Sequence, residues 1–327
     1  MSAFLFFNTV VPTAIATGII FLFGCVGEII LEKAGHLNLG IPGIMCMGTL
    51  GGCLGVSLVM GAYMDAGAEP SWFVVILVSL VSSMAFAAVG GLIYAFLTVT
   101  LKCNQNVTGL ALTTFGAGVT DFFMDMVDKT YFTKASNLIS TPIVAKNSMG
   151  PAGNIFLSHG FFVYFGIAVA IIAFFVLKKT KVGLSLRAVG ENPATADAAG
   201  INVTAYKYGA IITGSSIAGI GGLYYVMDYI AGSWNNSSTV QGFGWLAIAL
   251  VIFAVWNPAL AMAGSLVFGF FYILPSFISG ISFAVMKSFD IVPYVIPILV
   301  LIGASVIGGR GIQPPASLGL SYFREDR

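Results

Sequence analysis

The sequence predicts an all-α fold, a polytopic membrane bundle of about 8–10 transmembrane helices with one short helix hung beneath it. Three observations carry this reading. Of the 327 residues 58% are hydrophobic and only 8% are charged, where a soluble domain carries roughly 25% charged residues, and the mean hydropathy is +0.97. Apolar runs of about 20 residues, the length needed to cross a hydrocarbon layer, recur between polar breaks. The 40 Gly and 27 Phe point to helices packed closely in lipid. These features exclude a soluble enzyme, a secreted scaffold and a disordered chain. With a net charge of +1 there is no general basic field to hold nucleic acid.

Residues 1–327 read as a single transmembrane domain. The first apolar run, near 10–30, follows a stretch without the basic region of a cleaved signal, so it is expected to stay as a span. Further spans are expected near 41–63, 71–100, 105–124, 156–177, 203–230, 242–256, 259–279 and 291–308. The 71–100 run is long. The 242–256 run is short enough to be one arm of a broken helix that touches the bundle interior. Placing Lys178, Lys179 and Lys181 on the cytoplasmic side brings Lys33, Lys102, Arg187, Lys207, Arg310, Arg324 and Arg327 with them, leaving Lys129, Lys134, Lys146 and Lys287 outside. With nine spans the N-terminus is then outside and the C-terminus cytoplasmic.

Small residues recur at four-residue spacing: Ala210, Gly214, Ala218 and Gly222, with Ser215 and Gly219 beside them, then Ser83, Ala87 and Gly91, and Gly48 with Gly52. Such rows let helix backbones approach. Cys25, Cys46, Cys53 and Cys103 form no CxxC pair and read as small apolar filler; no metal site is expected.

Polar and helix-breaking clusters interrupt the spans at Asn38–Gly43, Asn104–Gly109 and Gln241–Trp245. Each is either an interfacial turn or part of a solute path, because unpaired backbone at membrane depth persists only where protein buries it or water reaches it. As path residues Asn38, Asn104, Asn106, Thr108, Gln241, Phe243 and Trp245 are the candidates, since amides and aromatics suit a neutral polar solute with a ring or sugar hydroxyls. Glu28, Asp121, Asp125 and Asp228 are the acidic residues near span ends, interfacial or functional. Glu28 has Lys33 and His36 as alternative partners, and His159 reads as a surface histidine.

Two loops exceed a turn. The outer one, about 125–155, is either a plain exposed loop or a contact for an external partner. In the inner one, about 178–202, with its candidate coupling segment about 183–202, Asn192 suits an N-cap, Pro193 the first helical position and Gly200 the left-handed position after a helix. A helix over 193–199 would be a rod of about 10 Å. It either bridges two spans or fits a groove on a soluble partner and carries force. No phosphate-binding loop is present, since Lys129-Thr130 and Lys179-Thr180 lack the preceding glycine, and no catalytic constellation stands out. The chain reads as a transporter and not an enzyme, so any drive must come from a gradient or from another subunit.

The stretch Gly27–Met45, with its Gly35-His36-Leu37-Asn38-Leu39-Gly40, resembles the signature of ABC-transporter permeases of the ribose/nucleoside/branched-chain amino acid class, and within it the nucleoside and simple-sugar permeases. Gly183–Val203 resembles their cytoplasmic coupling segment, and Val107–Leu112 and Gln241–Leu250 are similar to further family stretches. Such permeases carry an acidic residue where Pro42 stands, and proline removes both a charge and a backbone donor. The resemblance implies a type II-like importer permease in a bacterial cell membrane, paired with a second permease. The lost acid at Pro42 points to an unlike chain. It further implies cytoplasmic ATPases that use ATP and Mg, with no cofactor bound by this chain, and an extracytoplasmic substrate-binding protein. In that scheme Arg187, Gly190, Glu191 and Asn192 orient the coupling helix while Pro193, Ala194, Ala196 and Gly200 shape it. The cargo implied is a nucleoside, a related sugar or a ring-bearing vitamin such as riboflavin. A gradient-driven carrier, a passive channel and a membrane scaffold are the competing readings.

Overall fold

The computed structural model describes residues 6–143, 153, 155–278 and 313–323, with scattered positions between 280 and 302. Eleven helices of six residues or more follow in order among the described residues. They are α1 (Val11–Lys33), α2 (Ile41–Asp65), α3 (Trp72–Ala95), α4 (Gln105–Met124), α5 (Phe132–Ile139) and α6 (Phe161–Lys179). Then come α7 (Lys181–Glu191), α8 (Pro193–Ala198), α9 (Val203–Tyr224), α10 (Ser238–Phe253) and α11 (Pro258–Ile273). Wider π turns extend α3 over Phe96–Thr100 and α9 over Tyr225–Tyr229.

Seven of these segments are long and apolar enough to cross a membrane: Asn8–Lys33, Ile41–Asp65, Trp72–Thr100, Gln105–Met124, Phe161–Lys179, Val203–Tyr229 and Pro258–Phe277. They match the first six expected spans and the eighth. The expected short seventh run is α10, whose Gln241–Trp245 stretch lies inside the helix instead of preceding it. The expected span at 291–308 falls largely outside the described residues, as do Lys146, Lys287, Arg310, Arg324 and Arg327.

Burial sorts the helices into two classes. The most apolar stretches of the segments containing α1, α2 and α9 are 83%, 78% and 78% buried, whereas those of α3, α4, α6 and α11 are 33–39% buried. The first three are therefore the core, and the others wrap it. Helix α9 packs on α1, α2 and α3, α11 packs on α1, and α2 holds α3 and α4. The wrapping helices show bulky apolar side chains outward, among them Phe73, Phe115, Phe122, Ile172 and Phe175. That is the distribution expected of a surface solvated by lipid.

The core forms because small residues meet. A Cβ on Gly214 would stand 2.4 Å from the Gly27 carbonyl oxygen, and one on Gly48 2.3 Å from the Gly219 Cα. Ala87 of α3 rests on Gly219 and Ser215 on Gly91, so the predicted rows are contact lines. Two long-range hydrogen bonds tie α1 to the C-terminal end of α9 and its extension: Tyr224 donates to the Ala16 carbonyl (3.0 Å) and Thr17 to the Tyr229 hydroxyl (3.0 Å). Both expected long loops carry helix. The outer one contains α5, and its residues 144–152 lie outside the described residues. The inner one holds α7 as well as α8.

Candidate coupling segment and solute path

The end of the bundle that carries α7 and α8 also carries Lys33, Lys102, Lys178, Lys179, Lys181, Arg187 and Lys207, so it is the basic end. Thr180 caps α7, accepting from the Gly183 amide at 3.1 Å. Asn192 caps α8, accepting from the Thr195 amide at 3.0 Å. Pro193 opens that helix. Gly200, at φ +83, ends it, with its amide on the Asp197 carbonyl (2.9 Å) and the Ile201 amide on that of Ala196 (3.0 Å). These two bonds satisfy carbonyls left free at a helix end. The helix closes at Ala198, one residue short of the expected end.

The two faces of α8 differ. Ala196 is 3% exposed and packs with Val189, Val203 and Tyr322, so it anchors the helix. Thr195, Ala198 and Ala199 face outward with Glu191 and Asn192, while Pro193 and Ala194 are half-buried. Val182 and Leu184 of α7 add exposed apolar side chains to the same end. Arg187 is half-buried, and no hydrogen bond reaches its Nε.

What holds this segment to the bundle is not local. Gly190 is pressed against the Lys33 carbonyl, which a Cβ there would meet at 2.3 Å. Its own carbonyl accepts from both the amide (3.0 Å) and the hydroxyl (2.5 Å) of Ser317. The Ala316 amide donates to Glu191 (3.3 Å), Tyr322 to Asp197 (2.9 Å) and the Gly319 amide to the Gly35 carbonyl (3.3 Å). Residues 313–323 thus splint α7 and α8 to the loop between α1 and α2.

That loop is built around buried polar groups. Glu28 pairs with neither Lys33 nor His36; it accepts from the Asn38 amide (2.9 Å). Glu32, a second buried acid one turn on, receives the Trp256 indole N–H. Asn38 is fully buried and accepts from the Gly40 amide (2.8 Å), while its side-chain amide nitrogen has no hydrogen-bond partner. Burial pushes the His36 imidazole down to about 3, with the Lys207 charge adding to this, so the ring is neutral at ordinary pH. Tyr94 donates to the Leu37 carbonyl (2.7 Å) and Gln105 accepts from the Leu37 amide (2.9 Å).

The other path candidates fall into two groups. Near the basic end, Asn104 caps α4, Asn106 is exposed and Thr108 is buried; Asn104 and Thr108 line a mostly apolar groove of about 470 Å³ with Tyr94, Leu97 and Leu112. On α10, half-buried Gln241 donates to Ser237, whose amide and hydroxyl bind Asp121 at 2.8 and 2.7 Å. Phe243 is 2% exposed among Phe21 (5.5 Å), Tyr225 (4.8 Å) and Tyr272 (5.3 Å), and Trp245 is half-buried. Pro42 sits in the first turn of α2, where a Cβ on Gly244 would touch its Cα at 2.4 Å. Proline costs no helical hydrogen bond in that turn.

Residues 11–306 match the family described as the branched-chain amino acid transport system, permease component. The chain belongs to that permease family. It is 31% identical to the nucleoside ABC transporter permease protein NupC of Lactococcus lactis subsp. cremoris over 93% of each chain. It is 30% identical to the guanosine ABC transporter permease protein NupQ of Bacillus subtilis over 98% of each. The provisionally named glucose ABC transporter permease protein TsgC13 of Haloferax volcanii is 33% identical over 76% of this chain and 71% of its own. No solved structure matches. Family and apolar helices together make this permease an integral membrane protein.

Sequence reading missed Glu32, Trp256, Ser317, Tyr322, Val182 and Leu184. Glu28 and Glu32 share one helix face, a signal open to inspection. The contacts of Ser317 and Tyr322 span more than a hundred residues and leave no local pattern.

Proposed function

We propose that this permease is one half of the transmembrane pore of an ATP-driven importer and that its cargo is a nucleoside. The observation that carries the reading is the end-to-end likeness to NupC and NupQ, over 93% and 98% of the chain. The basic end is then cytoplasmic by the positive-inside rule, and the C-terminus lies there with it. ATP and Mg act on a separate ATPase, which grips the outward face of α8 through Thr195, Ala198 and Ala199, with Val182 and Leu184 beside it. Ala196 and the splint at 313–323 pass its closure to α1 and α9.

A second, unlike permease completes the passage. This fits Pro42, which stands where such permeases carry an acidic residue. Asn38, Asn104, Asn106, Thr108, Gln241, Phe243 and Trp245 would each face the passage only briefly, because specificity rests with a substrate-binding protein outside. The membrane is a bacterial plasma membrane in this reading.

The test is uptake of labelled guanosine and uridine into proteoliposomes holding both permeases and the ATPase, with the binding protein supplied. Uptake should require ATP, survive collapse of proton and sodium gradients, and vanish when the ATPase is left out. Uphill uptake by this chain alone would sink the proposal. A thermal-shift screen of the binding protein against nucleosides, pentoses and flavins checks the cargo separately.

A further inference from the structure

At the basic end, between α8 and the bundle, lies a half-open cavity of about 450 Å³. It is lined by Thr98, Lys102, Asp197, Asn202, Thr204 and Lys207, among others. Two features of it are independent of each other. The first is the N-terminus of α9, a 22-residue helix. The Asn202 side chain takes the Ala205 amide (3.0 Å), while the Val203 and Thr204 amides have no protein acceptor among the described residues. Both residues line the cavity. The second is Lys207, which is 3% exposed yet opens on the same space. No hydrogen bond or ion pair reaches its ammonium among the described residues.

A buried lysine over the positive end of a helix is an unfavourable arrangement by itself, because both charges have the same sign and one has lost its water. The acids nearby do not relieve it. Asp197, which also lines the cavity, accepts from Tyr322. Glu28 and Glu32 are engaged by Asn38 and Trp256. His36, which lies within reach of the Lys207 charge, is neutral. Lys102, which also lines the wall, stands over the Phe323 ring at 4.3 Å. Free amides at a helix end, a buried ammonium and threonine hydroxyls in one polar cavity are the donor set that binds phosphate.

We infer that this cavity is an anion site for a phosphate group, held by Lys207 and the first turn of α9. The group belongs either to a lipid headgroup of the adjoining leaflet or to a free phosphate ester. A bound phosphate would touch both α8, through its C-terminal turn, and α9, so it would brace the coupling segment against the core. The donor set does not depend on the transport reading; only the assignment of the leaflet as cytoplasmic rests on it.

The experiment measures the melting temperature of the full chain, purified in neutral detergent, with and without 10 mM inorganic phosphate or uridine monophosphate, against chloride of equal ionic strength. Native mass spectrometry from nanodiscs of phosphatidylglycerol or phosphatidylcholine tests the lipid. Phosphate, the nucleotide or phosphatidylglycerol should raise the melting temperature or stay bound one per chain, Lys207→Met should remove the effect and Lys207→Arg should restore it. Lys207→Met deletes an unpaired buried charge and is expected to fold. If it does not, Thr204→Pro, which removes a first-turn amide donor where proline suits a helix start, should weaken the same effect several-fold. A response to the free esters alone assigns a soluble ligand, and one to phosphatidylglycerol alone assigns the leaflet. No response beyond chloride, or an undiminished response in Lys207→Met, overturns the inference whether or not the chain transports nucleosides.

Discussion

Two alanines two positions apart on α8 separate anchoring from the proposed docking. Ala196 is buried against Val189 and Val203, whereas Ala198 faces out. Ala196→Arg forces a long charged side chain into that contact, and overpacking alone costs about 1–3 kcal/mol. Ala198→Arg touches nothing in this chain, and exposed substitutions of that kind shift stability by roughly 0.5 kcal/mol or less. The expected outcome is that Ala196→Arg lowers the melting temperature, while Ala198→Arg leaves it unchanged and abolishes co-purification of the ATPase. Retained ATPase binding in a well-folded Ala198→Arg would move the docking face elsewhere. At Asn192 the cap bond to Thr195 is worth about 1 kcal/mol, and Asp supplies the same acceptor. Hydrogen exchange at the Thr195 amide should therefore quicken in Asn192→Ala and stay slow in Asn192→Asp.

At the scale of elements, the helices were legible where a physical rule acts within a short window. Asn192, Pro193 and Gly200 encode the start and end of α8 locally, and the apolar runs encode the spans by length. Helix α7 was not legible as a separate element, because its sequence differs little from a polar connection until Thr180 is seen capping it. The rows of small residues named the right contact faces but not their partners, which are decided by packing. Helix α9 makes this testable: Gly214 and Gly209 lie on one helix, yet a Cβ meets the Gly27 oxygen at 2.4 Å at the first and nothing within 4 Å at the second. Gly214→Val should collapse the monodisperse gel-filtration peak. Gly209→Ala should keep it and raise stability by up to about 1 kcal/mol, the difference in helix propensity.

For the whole molecule, the proposed importer raises the question of how motion at a six-residue helix would reach a core set in the membrane. Helix α8 is too short to move α9 by leverage alone, and its local contacts with α7 and α9 would let it swing. The splint removes that freedom. Ser317, Gly319 and Tyr322 tie Gly190, Gly35 and Asp197 into one block, and Gly35 leads directly from α1. A segment near the end of the chain therefore makes the coupling segment rigid with the most buried helix. Removing only the side-chain bonds, as in Ser317→Ala with Tyr322→Phe, keeps the shape and takes away about 1 kcal/mol for each bond. The block should then loosen without losing its docking face. The expected result is that the double variant binds the ATPase and supports hydrolysis as before, while uptake per ATP hydrolysed falls by up to about 30-fold, the factor that roughly 2 kcal/mol of lost coupling gives. Uptake and hydrolysis measured in the same proteoliposomes decide the matter: a parallel fall in both would mean that the splint serves stability, and an unchanged ratio would mean that force reaches α1 by another route.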